Sequence, residues 1–229
     1  MNKTLLAIGA HYDDCVFGIP GILLGAVRKH YRVVVLNIIG DNSDWSPVKG
    51  RADELLQTAI RLAGERSIEM RFLDYASMQF DVNAETKRAV AEVVAEVKPD
   101  LAFMLWHRDR HPDHEVAARL SEPALRQPGR ILGREGVRGV RRIYAYDNGP
   151  GHTVGFEPNA FVDVSADWSD AMEWLGRLMA FLRDRPYDPQ SPDPAQSVKE
   201  TLARYRGLAC GVKYAEAVWA TGAFPLEIL

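Results

Sequence analysis

The stretch TLLAIGAHYDDCVFGIPGILLGAVRKHYRVVVLNII, residues 4–39, decides the fold because it contains a strand, a helix and a second strand in succession. Residues 4–10 form an apolar run that predicts a buried strand, and residues 31–39 predict a second one. Between them, residues 18–30 predict a helix whose glycine-rich start lets the backbone approach a neighbour closely. A strand, a helix and a strand in this order are typical of a parallel sheet with right-handed crossovers.

The same alternation continues through the first half of the chain. Residues 51–63 and 83–97 have the spacing of amphipathic helices, and residues 68–73 and 101–106 are strand-like apolar runs. A further helix is expected to begin at Pro112. Strands that alternate with helices predict an α/β fold, a Rossmann-like parallel sheet with helices on both faces.

The pattern becomes less regular after Ser121. No linker or internal repeat divides the chain, so we expect one domain over residues 1–229, with a core of about 1–125 and a C-terminal extension of about 126–229. The elements expected in the extension are strands at residues 142–146 and 160–164, helices at 170–182 and 195–208, and a proline-rich loop at 186–194.

The composition limits the partners of this protein. The 28 basic and 31 acidic side chains give a net charge of -3, which offers no general attraction to nucleic acid or an anionic membrane. Cys15 and Cys210 make no disulfide framework. The apolar run near the N-terminus is too short for a signal or membrane segment. We therefore expect a cytoplasmic protein that acts on a small molecule.

Two short strings carry the candidate chemistry, AHYDD at residues 10–14 and HPDH at residues 111–114. Each follows a predicted strand, and functional groups gather at the carboxyl ends of strands in open α/β sheets. Pro112 keeps its predecessor out of helical conformation, so His111 is the expected N-cap of the next helix. Two imidazoles and a carboxylate are the ligands that a catalytic zinc-like ion takes while it keeps a position open for water.

These strings resemble the first two motifs of the PIG-L/LmbE-like N-acetylglucosaminyl deacetylases, which read Ala-His-Pro-Asp-Asp-Glu and His-x-Asp-His. The resemblance extends along most of the chain. Its further elements are Arg51 with Glu54, Ala63-Gly64, Phe72-Leu73 and Tyr214-Ala215-Glu216-Ala217.

The resemblance implies a hydrolytic metal site. Asp13 would be the general base that takes a proton from the attacking water. His111 would stabilise the oxyanion or protonate the leaving amine, and Asp113 would orient His111 and favour its charged form. The metal, most often Zn²⁺ with Fe²⁺ as the alternative, would be held by His11, Asp14 and His114.

The implied activity is removal of an acetyl group from an amino sugar or an amino-sugar conjugate, by hydrolysis of a linear amide bond. Arg51 and His152 would contact the substrate. Relatives commonly form trimers or hexamers, so a homo-oligomer is expected.

Three residues depart from the family pattern. Tyr12 replaces a proline, which loosens the local backbone. Cys15 replaces a glutamate and so removes a carboxylate beside the site. Ser77 stands at about the position of an aspartate that helps to hold a sugar hydroxyl, which leaves substrate choice less determined than the chemistry.

Three other functions remain open from the sequence. Cys15 could be a nucleophile activated by His11 at a helix N-terminus. The domain could bind a sugar or nucleotide without catalysis, using Gly18 to Gly21 near the first strand. It could also be a family member that has lost activity because Cys15 and Ser77 replace carboxylates.

Several further residues have two readings. Trp45 and Trp106 lie near predicted strand ends and could stack on a sugar ring or belong to the core. Six arginines within seventeen residues could receive an acidic substrate or form a solvated surface. They are Arg126, Arg130, Arg134, Arg138, Arg141 and Arg142.

Overall fold

A single seven-stranded sheet runs through the computed structural model, which describes residues 3–222. The strand order is β3-β2-β1-β4-β5-β7-β6. The first five strands pair in parallel, and β7 pairs antiparallel with β5 and β6. The strands are β1 (Thr4–Gly9), β2 (Arg32–Asp41), β3 (Ile68–Ala76), β4 (Leu101–Leu105), β5 (Arg142–Tyr146), β6 (Ala160–Asp163) and β7 (Ala215–Ala220).

The helices form two groups that cover the sheet. Helices α4, α5 and α6 contact one another, whereas α1, α2, α3 and α8 each contact α7. The helices are α1 (Asp14–Gly18), α2 (Pro20–Arg28), α3 (Ala52–Gly64), α4 (Ala84–Val97), α5 (Pro112–Arg126), α6 (Pro128–Leu132), α7 (Trp168–Leu182) and α8 (Pro194–Cys210). The predicted fold class, a Rossmann-like sheet between helices with a less regular C-terminal part, is confirmed. Within residues 3–222 we find no helix long and apolar enough to cross a bilayer.

The local sequence explains the central strands. Leu5 to Ile8 in β1 and Val33 to Ile39 in β2 are almost completely buried, as expected for parallel strands covered on both faces. The predicted close approach at the first helix is also confirmed. A Cβ atom at Gly18 would collide with the Tyr146 ring, and one at Gly21 would collide with Val164.

The structure differs from the sequence prediction in three elements. The helix expected over residues 18–30 is α2, which begins only at Pro20, and a separate short helix, α1, ends at Gly18 because Ile19 leaves helical geometry. Strand β7 was not predicted, since its sequence AEAVWA is rich in alanine, which has weak strand preference. Helix α6 was not predicted because it is only five residues long.

A buried ion pair joins the C-terminal part to the first helices. Lys199 Nζ lies 2.9 Å from Glu216 Oε1, and both side chains are almost fully buried. The Glu216 carboxylate also accepts hydrogen bonds from the backbone N–H groups of Gly21 and Ile22 at the start of α2. Lys199 donates to the carbonyl oxygen of Gly18 at 2.8 Å. The pair therefore fixes α1, which carries Asp14, against β7 and α8.

The substitution Lys199→Met is expected to destabilise the protein by about 3–5 kcal/mol, because it leaves the Glu216 carboxylate buried without its cation. Chemical denaturation measures the free energy of unfolding. The matched control is Arg204→Met, which removes an exposed partner of Glu200 on the same helix and should change stability little. Equal losses in both variants would contradict the structural importance of the buried pair.

Candidate active site

The sheet topology brings the two strings together. Strands β1 and β4 are neighbours in the sheet. The chain continues from β1 to β2 in one direction across the sheet, and from β4 to β5 in the other direction. Such a switch point leaves a crevice at the carboxyl ends of the two strands. His11 and Asp14 follow β1, and His111 and His114 follow β4, with His111 as the N-cap of α5 as predicted.

Three side chains of these strings point at a common centre. His11 Nδ1 lies 3.2 Å from His114 Nε2. His114 Nε2 lies 3.1 Å from Asp14 Oδ1, and His11 Nδ1 lies 3.7 Å from Asp14 Oδ2. One ligand atom from each of the three residues lies within 4.8 Å of the others. His11, Asp14 and His114 therefore form a group that could hold a metal ion.

The donor set of this group suits a zinc-like cation. Ligand atoms about 2.1 Å from a tetrahedral ion are separated by about 3.4 Å, close to the spacings in the cluster. The Asp14 carboxylate is held in place because Oδ2 accepts from the backbone N–H groups of Ala10 and His11 at 2.7 and 2.8 Å. Two nitrogens and one oxygen leave a fourth tetrahedral position free for a small oxygen ligand.

Two residues that the sequence analysis missed support these ligands. Asp109 Oδ1 lies 3.2 Å from His114 Nδ1, the carboxylate–histidine arrangement that orients metal ligands. Asn148 Nδ2 donates to Asp14 Oδ1 at 2.7 Å. Asn148 could have been found, because it follows β5, whose carboxyl end lies at the same edge as those of β1 and β4. The contact of Asp109 could not be predicted from residue spacing, since Asp109 lies in the loop before the helix that presents His114.

The two adjacent aspartates have opposite pKa shifts. Burial and the charge of Asp14 raise the pKa of Asp13 above its usual value. Burial acts in the same direction on Asp14, but the charge of His114 and hydrogen bonds to His11 and His114 outweigh it and lower the pKa of Asp14. Because the two pKa values move in opposite directions, Asp14 stays ionised while Asp13 accepts a proton more readily.

Carboxylates also act on the pKa values of His11 and His114. Burial would lower the pKa of His11, but hydrogen bonds to Asp113 and Asp14 raise it to about 9. Burial would also lower the pKa of His114, but the charge of Asp14 and the hydrogen bond to Asp109 raise it to about 10. Without another cation, these imidazoles hold protons at neutral pH. Each of these imidazoles is therefore paired with carboxylates, Asp14 and Asp113 at His11 and Asp14 and Asp109 at His114.

The structure places Asp113 closer to His11 than to His111. Asp113 Oδ2 lies 3.3 Å from His11 Nε2 but 3.8 Å from His111 Nδ1, and it accepts a hydrogen bond from Ser77 Oγ at 2.6 Å. Its other oxygen accepts from the backbone N–H of Met78. Asp113 thus orients His11 more directly than His111.

The surroundings of His111 disfavour the charged form that the resemblance implies. Burial lowers its pKa, and the nearby charges of His11 and His114 lower it further. His111 Nδ1 accepts a hydrogen bond from the backbone N–H of Asp113 at 3.3 Å. A neutral ring in this arrangement would carry its proton on Nε2 and could donate a hydrogen bond into the cavity.

A cavity of about 590 Å³ opens over the cluster. Six of the predicted site residues line this cavity, and Asp113 is buried beside them. Ser77 and Trp45 also contribute to the lining. The six are His11, Asp13, Asp14, His111, His114 and His152.

Arg51 is the predicted site residue that the structure does not bring to the cavity. Its Nη1 lies 3.2 Å from Asp184 Oδ1, and its guanidinium lies over the Phe181 ring at 4.9 Å. It caps the start of α3 and is not among the residues that line the cavity. In this structure Arg51 contacts the end of α7, and its contact with substrate stays a prediction.

Burial and side-chain partners distinguish between the alternatives for Cys15, Trp106 and the clustered arginines. Cys15 is fully buried, lies 3.2 Å from Tyr146 Oη, and has a pKa raised by burial, so a nucleophilic thiolate is excluded there. Trp106 belongs to the core and donates its indole N–H to Val154. Arg126 and Arg134 pair with Glu122 and Glu92. None of the six clustered arginines lines the cavity.

The fold and this cluster define a Rossmann-like α/β protein with a candidate metal site at the carboxyl edge of its sheet. Residues 6–125, just over half of the chain, match the family model described as "PIG-L: GlcNAc-PI de-N-acetylase". The chain belongs to the PIG-L family, as the resemblance predicted.

Similar proteins include a curated relative and two solved structures. The chain is 26% identical to diacetylchitobiose deacetylase of Thermococcus kodakarensis, over 94% of this chain and 82% of the relative. Its fold is similar to N,N'-diacetylchitobiose deacetylase from Pyrococcus horikoshii, with a TM-score of 0.77, 18% identity, and coverage of 96% and 84%. The 4-carboxy-2-hydroxymuconate hydratase GalB from Pseudomonas putida has a TM-score of 0.82 at 18% identity, covering 99% of each chain. A hydratase with this fold shows that the fold alone does not determine the reaction.

Proposed function

We propose that this protein is a metal-dependent hydrolase that removes an acetyl group from an N-acetylated amino sugar or amino-sugar conjugate. The observation that carries the proposal is the convergence of His11, Asp14 and His114 beside Asp13 on one cavity. Membership of the PIG-L family and the deacetylase name of the Thermococcus relative support amide hydrolysis over hydration.

His11, Asp14 and His114 would hold a divalent cation, Zn²⁺ or Fe²⁺, which would lower the pKa of a water molecule and polarise the amide carbonyl. Asp14 suits a ligand because its pKa is lowered, so it remains ionised. Asp13 suits the general base because it lines the same cavity and holds a proton more readily than Asp14. Asp13 would take the proton of the attacking water and later deliver it to the leaving amine.

His111 would stabilise the transition state. Its Nε2–H is free of the bond that engages Nδ1, and the ring lines the cavity. A hydrogen-bond donor placed where negative charge develops on the carbonyl oxygen typically contributes on the order of 100-fold or more in rate. His152, half-exposed and 3.7 Å from Asp109, would contact the substrate from the loop after β5.

The experiment that tests the proposal is elemental analysis of the purified protein, followed by a screen for amine release from acetylated amino sugars. One bound divalent ion per chain with amine release supports it. Bound metal without release from any acetylated sugar would indicate a family member that has lost activity. A protein that binds sugar with neither metal nor release would favour the binding-module alternative.

The affinity for Zn²⁺ is expected to fall as the pH falls. The pKa values of His11 and His114 are about 9 and about 10, and an imidazole must lose its proton before it can bind a metal. Displacing one or two protons should weaken the apparent affinity by about 10- to 100-fold per pH unit below these pKa values. Chelator competition at pH 6, 7 and 8 measures the change, and an affinity independent of pH would contradict it.

The organisation of the chain is proposed as a single domain over residues 1–229. Strands β5, β6 and β7 of the C-terminal part extend the same sheet as β1 to β4, which supports this assignment. The trimeric or hexameric assembly and the cytoplasmic location stay predictions.

A further inference from the structure

The cavity has two walls of different chemistry. The loops after β1, β4 and β5 form a polar wall that carries the imidazoles and carboxylates. Side chains of α7, α8 and the loop after β2 contribute an apolar part of the lining, which we call the apolar wall. Its members are Trp45, Leu175, Met179, Pro194, Ala195 and Val198.

Two neighbouring helices supply most of the apolar wall. Leu175 and Met179 are four residues apart on α7, so their side chains lie on one face of that helix. Ala195 and Val198 are three residues apart in the first turns of α8, which packs against α7. Four apolar residues from two neighbouring helices therefore line the same cavity.

Part of this apolar surface is open to solvent. Val198 is 43% exposed and Trp45 is 38% exposed, although both line the cavity that contains the catalytic cluster. Binding pockets commonly combine such apolar surface with a few polar groups that fix orientation. Covering Val198 and Trp45 with an apolar group would remove their exposed area from water, which favours binding.

The charges that line the cavity also limit the chemical class of the substrate. Among the residues described here, no lysine or arginine lines the cavity, whereas Asp13 and Asp14 do. Arg51, the cation expected from the sequence, pairs with Asp184 and is not among the lining residues. A phosphate or carboxylate on the substrate, away from the metal ligands, would find neither a bidentate partner nor a compensating charge.

We propose that the substrate is an uncharged N-acyl amino-sugar conjugate whose alkyl or aryl group lies against the apolar wall of α7 and α8. This inference rests on the proposed function and names the class of its substrate. We assign the apolar wall to substrate binding because it lines the same cavity as the catalytic cluster.

The first test compares matched substrates in the metal-loaded enzyme. The compounds are N-acetylglucosamine, its hexyl β-glycoside, its 1-phosphate and N-hexanoylglucosamine. Each methylene that reaches the wall should raise kcat/KM by about fourfold, so at least one hexyl or hexanoyl compound should exceed N-acetylglucosamine by at least tenfold. Equal rates for all neutral compounds, or a preference for the phosphate, would overturn the proposal.

The second test places a charge on the wall. Val198→Asp should lower kcat/KM for the preferred alkyl compound at least tenfold more than it lowers kcat/KM for N-acetylglucosamine. The control is Leu208→Asp, since Leu208 is an 84% exposed apolar residue of the same helix outside the cavity. If Val198→Asp instead changed the oligomeric state and lowered all activities equally, a second copy of the chain would cover the wall, and the proposal would fail.

A binding measurement separates this inference from the proposed function. Hexyl β-glucoside has no amide to hydrolyse, so calorimetry reports binding without turnover. Binding that Val198→Asp weakens and Leu208→Asp preserves supports the wall even if no acetyl group is released from any sugar. Deacetylation of N-acetylglucosamine with no effect of alkyl groups on binding or rate would retain the proposed function and overturn this inference.

Discussion

Asp13→Asn is expected to lower the rate of amine release by between about 100-fold and 10,000-fold, the range typical for loss of a general base. The variant should keep its bound metal, because the three ligand side chains are unchanged. It should also be at least as stable as the original protein. The pKa of Asp13 is raised on folding, so its ionised form is disfavoured in the folded state at neutral pH, and an uncharged amide removes that cost.

Three measurements on the same preparation check this prediction: amine release, metal content and the free energy of unfolding. Asp53→Asn is the matched control, since Asp53 is exposed in the first turn of α3 and does not line the cavity. Full activity in Asp13→Asn would remove the assignment of the general base, while loss of metal would show that Asp13 is a ligand.

His114→Ala is expected to abolish both metal binding and turnover. Its Nε2 is 3.1 Å from Asp14 Oδ1 and 3.2 Å from His11 Nδ1, so its loss removes one of three converging ligands. Loss of a group that only supports a ligand typically costs about 10- to 100-fold in affinity, and loss of a ligand itself should cost more. Metal titration with a competing chelator measures the change.

The controls for His114→Ala separate ligand loss from general damage. His107→Ala removes an exposed histidine from the same loop and should leave metal affinity unchanged. Asp109→Asn, which alters the partner of His114 Nδ1, should weaken metal binding by about 10- to 100-fold without abolishing it. Metal affinity in His114→Ala equal to that of the original protein would show that the ligand assignment is wrong.

The sequence alone predicted much of the fold because its signals are local. Continuous apolar runs in β1 and β2, and the helical spacing of α3 and α4, depend on residues close together in the chain. Pro112 predicted the start of α5 and the capping position of His111 from the restrictions that a proline ring imposes. The carboxyl-edge rule then predicted that the two strings would meet.

Contacts between distant segments were decided only by the tertiary structure. The side chains of Asp109 and Asn148 reach His114 and Asp14 only once β1, β4 and β5 lie side by side. Arg51 was assigned to the substrate from its position after β2, but the docking of α7 places Asp184 and Phe181 within its reach.

The sequence by itself determined the alternation of strands and helices and pointed to the candidate site residues, because backbone preference and hydrophobic periodicity act over a few residues. The tertiary structure decided which of those residues face one cavity, which way the pKa of each carboxyl group moves, and which helices contribute the apolar wall. These depend on distances and burial between segments far apart in the chain, and no local pattern encodes them.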